Sequence, residues 1–525
     1  MQRRRKIKYF AAVVLVEIAF ILCILCFLIS DIGTEQSGND IILDGLTIVE
    51  EEQWDEILSS NSQTPMDRTE VLFDNASIAY DAASNTFYIP QDMESSSWSG
   101  TFTTFNLGRL FILNDTYLSD KAGAIADGHS FACLYQAGDV CSLFNLVFTG
   151  LPTVAIEYDP EEEFVSKEDH EGQISVREIS GSYQTSRCIF HIRGQASSEY
   201  PKKSWKISLT TAAGDKNHFS LCGMREDDDW ILNAMFMDPT HIREALAYYT
   251  WDTMQSMMGY SASSPNMQYV EFFLNDEYYG LFLLMEPLDG KTLDLTQEDF
   301  LYQKCWTVLP ENETLTQYNG QNQTPYAEIR WPKSGNGSNV LSWDLLQYLY
   351  DYTNGLLDWE ELLSDGIVPD ITNMSIYDIF AVLMGAWDNV VHNMMFEYTL
   401  QEDGTYSVKQ IPWDLDCVLG TIWTDEIEMD MDSSFVILEE HNFLWNTFTA
   451  EFSEESEQCS HAVWKSLRDA GLNAELICDE GEALWHEISE SGAFSREEIR
   501  WGGSRLYGSK RIRYPSGIGM DPQQI

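Results

Sequence analysis

Hydrophobic residues first gather at Tyr9–Ser30, YFAAVVLVEIAFILCILCFLIS, where a single charge, Glu17, interrupts the run. A bilayer core about 30 Å thick takes roughly 20 helical residues, so this stretch fits a transmembrane helix better than the shorter apolar core of a cleaved signal peptide, which is the alternative. Residues 31–66 are polar and acidic, with Glu50, Glu51 and Glu52 in succession, and read as a partly disordered stalk. From 71 to 180, short apolar runs such as FTTFNLGRLFIL and PTVAIEY are separated by Asp, Gly and Ser, the patterning of a small β-rich domain.

Beyond residue 180 strand and helix periods alternate. CIFHIRGQASSEYPKKSWKISL, 188–209, reads as two strands joined by a polar turn, and 269–288 as a hairpin about Asn275-Asp276. Between them, DPTHIREALAYYTWDTMQSMM repeats apolar residues at Ile242, Leu246, Tyr249 and Met257, which predicts an amphipathic helix. SIYDIFAVLMGAWDNVVHN predicts an apolar helix, followed by a hairpin of MFEYTL and YSVKQIPWDLD around Asp403-Gly404. Residues 426–525 read as a C-terminal helical region packed on what precedes it. The fold class expected is α+β.

Charge narrows the function classes. The net charge is −53 and the pI about 4.2, which repels phosphate backbones, so no nucleic-acid partner is expected. The few basic residues include a cluster before the apolar run, Arg3, Arg4, Arg5, Lys6 and Lys8. The positive-inside rule then puts residues 1–8 in the cytoplasm and the bulk outside, on a single-pass cell-membrane protein anchored by residues 9–30. Ten cysteines are present, two of them, Cys23 and Cys26, within the apolar run, and no CxxC pair occurs outside it. Zinc knuckles are unsupported; a Cys133–Cys141 disulfide and buried free thiols both remain open.

Candidate chemistry concentrates in two short stretches. WDNVVHN places Asp388 and Asn393 five apart at the end of an apolar helix, and IPWDLD places Asp414 and Asp416 two apart, on one face if the strand continues. Carboxylate and amide oxygens are what a hard cation such as Mg²⁺ takes, and like charges at that spacing call for one. A phosphate-binding partner for that metal needs cations, and PKKSWK supplies Lys202, Lys203 and Lys206, with Arg193 close by. Alternation along a strand would put Lys202 and Lys206 on one face and Lys203 on the other. His392 reads as a hydrogen-bonded structural residue.

RGQASSEYPKKSWKISL, DWILNAMFMDPTHIREALAY, VEFFLNDEYYGLFLLMEP, WDNVVHN and PWDLDCVLG occur in this order, and in that order the chain resembles the CotH kinase family. The resemblance implies an atypical protein-kinase-like two-lobed fold over 181–425, binding ATP with Mg²⁺ or Mn²⁺ and phosphorylating Ser or Thr of partner proteins. It implies Asp388 as the catalytic residue, Asn393 and Asp414 as metal ligands with Asp416 assisting, and Lys203, or else Lys202 or Lys206, as the phosphate-holding lysine. Glu286 would line the adenine pocket, and Arg243 and Glu244 would orient the lysine. RGQASS, with Gln195 and Ala196 and only one glycine, departs from a Gly-rich phosphate loop. The competing expectation is a non-catalytic surface adhesin or assembly protein on the same scaffold.

Overall fold

The computed structural model describes residues 43–159, 167–194, 197–305, 309–310, 312–333, 341–421 and 443–502. The expected membrane helix, the cytoplasmic tail, residues 31–42 of the acidic stalk, and Gln195 with Ala196 lie outside them. Among the described residues no helix is long and apolar enough to cross a membrane.

The fold is mixed α+β. Its first sheet has seven strands, ordered in space Leu46–Val49, Arg109–Leu113, Ser130–Ala137, Val140–Thr149, Thr86–Pro90 and Ala79–Asp81, with Ser62–Gln63 added to Val140–Thr149. Part of the acidic stretch read as stalk is therefore folded. Leu46–Val49 pairs in parallel with Leu110–Leu113, and Glu51 and Glu52 open the helix Glu51–Ser60. Acidic side chains suit a helix N-terminus, which explains the misreading of a charge run as a solvated linker.

Seven further strands close a barrel in the order Thr153–Tyr158, His170–Arg177, Tyr183–Arg193, Ser204–Thr210, Asp229–Asn233, Glu277–Met285 and Met267–Leu274. The last returns to Thr153–Tyr158 in parallel. The boundary expected at 180 runs through this barrel, since its first two strands lie before it. The barrel and the first sheet also share a core: Tyr88 packs on Phe273 and stacks on Tyr278, with centroids 5.1 and 5.6 Å apart. The hairpin about Asn275-Asp276 forms as expected, both residues taking the positive φ, 48° and 59°, that a tight two-residue turn requires.

A five-stranded sheet follows, ordered Ala327–Trp331, Phe300–Lys304, Met394–Leu400, Tyr406–Pro412 and Ile367–Pro369. Helix Arg243–Met257 is buried on nearly every side, Trp251 and Leu246 completely, whereas Tyr249 and Met257 stay partly exposed. An amphipathic stripe was expected; the helix instead lies in one continuous core with residues of the barrel and of this sheet. Helices Phe443–Glu451, Ser453–Ala470, Ala474–Glu490 and Ala493–Trp501 complete the described chain. Cys133 and Cys141 are both free and buried.

Candidate functional site

Helix Ile371–Met384 starts at Asp370, whose Oδ1 accepts the Asn373 N–H at 3.0 Å, and stops at Gly385 in the left-handed conformation, φ 59°. The helix expected to run to Asn393 thus ends earlier, because a left-handed glycine after the last turn closes it off. One 3-10 turn, Trp387–Val390, carries Asp388, and Asn393, at φ 51°, turns the chain into Met394–Leu400. The hairpin register Met394↔Pro412 then brings the next loop back, and the Trp413 N–H donates to Asn393 O at 2.9 Å.

Asp414 and Asp416 do not share a strand face. The strand ends at Pro412, and Asp414 sits at φ 57° in a turn, its N–H donating to Tyr248 Oη at 3.1 Å. Asn389, which sequence reasoning passed over, holds the two loops together. Its fully buried amide donates to both Asn393 O and Trp413 O at 2.8 Å. The one signal for it was its position beside Asp388.

The carboxylates face one another. Asn393 Nδ2 donates to Asp388 Oδ2 at 2.8 Å, while Asp388 Oδ1 lies 3.2 Å from His392 Nδ1 and is a buried oxygen with no hydrogen bond. Burial, then the charges of Asp416 and Asp414, push the Asp388 carboxyl up to about 8. Asp416 is pushed up by burial and by Asp414, and Glu244 well up by burial, Asp414 and Asp416. Arg193 is the cation that offsets both. Its guanidinium lies 5.9 Å from the centre of the Trp413 ring.

These groups line one cavity of about 460 Å³, together with Lys202 from the barrel and Lys304 from the five-stranded sheet. Met235, Phe236 and Met237 contribute an apolar stretch. Asp414 and Asn393 also line it.

The other expected residues land in different places. Lys203 donates to Ser198 O at 2.8 Å and does not line the cavity. Lys206 is half-exposed, 3.9 Å from Asp229 Oδ1, on the outer side of its strand. Lys202 precedes that strand, so it does not share a face with Lys206; it is buried, with its ammonium 2.8 Å from Glu497 Oε1. Glu286 does not line the cavity either. Its carboxylate accepts the Arg225 N–H at 2.8 Å and Asn266 Nδ2 at 3.1 Å, a structural tie.

Glu244 accepts from Asn233 Nδ2 at 2.6 Å and so does not orient Lys202, a task that falls to Glu497. Arg243 donates to Thr421 Oγ1 at 2.8 Å. His392 is pushed down to about 4 by burial and by Lys304, which keeps its ring neutral. Lys304, buried at the end of Phe300–Lys304, was missed, because a lone lysine closing an apolar strand gives no pattern.

A hard cation fits the donor set. Ligand atoms of Asp388, Asp416 and Cys417 lie within 4.8 Å of one another. The Cys417 thiol is pushed well up by burial and by Asp416, so it stays protonated and leaves the oxygens as donors. Asp414, whose charge raises both carboxylates, is outside that group, so Asp416 is the nearer of the two to Asp388. The orphaned Asp388 Oδ1 beside this group is a buried acceptor that a cation or an incoming hydroxyl would satisfy.

The family model described as CotH kinase protein matches residues 190–512, a span that includes every residue of this cavity. Among curated proteins none matches the chain.

Proposed function

Because the chain belongs to the CotH kinase protein family, we propose that it transfers the γ-phosphate of ATP to Ser or Thr hydroxyls of partner proteins, with Mg²⁺ or Mn²⁺ at the carboxylate cluster. In this reading the barrel and the five-stranded sheet with its helices act as two lobes about the cavity. The observation that carries it is the buried, unsatisfied Asp388 Oδ1 facing Asp416.

Asp416 and Asn393, with Asp414 beside them, would hold the cation, which when bound neutralises phosphate charge. Asp388 accepts the proton of the incoming hydroxyl. The hydroxyl oxygen bonds to the γ-phosphorus as the bond to the bridging oxygen breaks, and ADP leaves with that electron pair. Asn393 Nδ2 fixes the Asp388 carboxylate for this task, at 2.8 Å. Lys202, steadied by Glu497, and Arg193 present positive charge to the phosphates, and Met235, Phe236 and Met237 offer the nonpolar wall a purine needs.

We place the protein at the cell membrane, anchored by residues 9–30 with the bulk outside. The basic residues before the apolar run support this, and the net charge of −53 disfavours nucleic acid as a partner. Protease added outside intact cells should remove the bulk; full protection would reverse the orientation.

The deciding experiment incubates the full chain with labelled ATP, Mg²⁺ or Mn²⁺ and basic and neutral protein acceptors. Wild type should label an acceptor or itself, and Asp388→Asn should not. Equal labelling of the variant would overturn the assignment. A wild type whose melting temperature no nucleotide raises would point to the assembly-protein alternative.

A further inference from the structure

The cavity holds a second lysine in a place unlike the first. Lys202 reaches it from the barrel side with its charge matched by Glu497 at 2.8 Å. Lys304 reaches it from the five-stranded sheet. The register Gln303↔Met395 sets Lys304 at the level of Met394, next to Asn393. Its ammonium donates to Val391 O, which lies between Asp388 and Asn393, and to Cys305 O at 3.4 Å. Lys304 itself is 6% exposed, and burial brings its ammonium down to about 8.

A phosphoryl group in flight carries its charge on oxygens between the incoming hydroxyl and the leaving diphosphate, so a fixed cation there is worth most at the Asp388 end of the cavity.

Resting on the kinase reading above, we infer that Lys304 is the residue that contacts the terminal phosphate of ATP, while Lys202 serves the inner phosphates. The cavity would then grip its donor from both walls. Lys304 distinguishes ATP from ADP; Lys202 does not.

The test is calorimetric titration of the full chain with Mg²⁺ plus either ADP or a non-hydrolysable ATP analogue, for wild type, Lys304→Gln and Lys304→Arg. Losing one charge-assisted phosphate contact should weaken the analogue about tenfold in Lys304→Gln and leave ADP within about twofold. Lys304→Arg keeps the charge and should recover most of the difference. Equal losses for both nucleotides, or no loss for either, would overturn the inference and leave the kinase reading standing. A wild type that binds neither nucleotide would remove both. Thermal melts of each variant, which a purely structural lysine would lower in Lys304→Gln and which should here stay near wild type, separate folding from binding.

Discussion

Lys202 and Glu497, 295 residues apart in sequence, form an ion pair at 2.8 Å in which both side chains are wholly buried. Glu497 Oε2 also accepts the Leu281 N–H at 2.8 Å, and Lys202 lies 4.4 Å from the centre of the Phe282 ring. The pair pins helix Ala493–Trp501 to the barrel strand Glu277–Met285 directly behind the cavity. Removing one partner of such a pair strands a charge in the interior.

Glu497→Ala should therefore cost about 3–5 kcal/mol in denaturant unfolding, and Lys202→Met a similar amount. The double variant should lose less than the sum, since the interaction is shared. Additive losses would mean that the pair is not coupled.

At Asp388 stability and activity should part company. Burial and two neighbouring carboxylates push this group up to about 8, so the folded state bears a cost there that a neutral amide avoids. Asp388→Asn should abolish phosphate incorporation while the metal-free protein melts at or above the wild-type temperature. A variant that is inactive because it melts several degrees lower would argue for a structural role instead.

What could be read along the chain followed backbone demand. Asn275, Asp276 and Gly404 take the positive φ that such turn residues announce, and both hairpins form. Asp388, Asn393, Asp414 and Asp416 were legible as oxygen donors near one another. Their geometry was not, because Gly385 ends the helix early and the left-handed Asp414 turns the chain after Pro412, where strand alternation no longer applies. The sequence left three lysines open, Lys202 among them, and missed Lys304, for a deeper reason. Lys202 is set by a helix from the far end of the chain, and Lys304 by a neighbouring strand, and neither relationship leaves a local pattern.

Metal should stabilise this fold measurably. Adding Mg²⁺ or Mn²⁺ to chelator-treated protein should raise its melting temperature, as binding to the native state alone requires. Asp416→Asn should shrink that rise more than Asp414→Asn, because Asp416 shares the ligand group with Asp388 and Asp414 stands outside it. The opposite order would return Asp414 to the leading role that the resemblance implied.

Acid should weaken the fold at a site away from the cavity. Burial would raise the Asp227 carboxyl, but its bond from Lys291 and the Arg225 charge outweigh burial and hold it below the ordinary carboxylate value. A depressed native value means that the unfolded chain binds the proton first on acidification. The stabilisation is therefore complete above the unfolded value of about 3.9 and is lost as pH falls through the lower native one. Asp227→Asn should melt lower than wild type at neutral pH, and its deficit should shrink steadily as pH is taken below about 4. Melting curves recorded across that range decide it; a deficit that does not change with pH would mean that Asp227 stabilises the fold by packing and not through its charge.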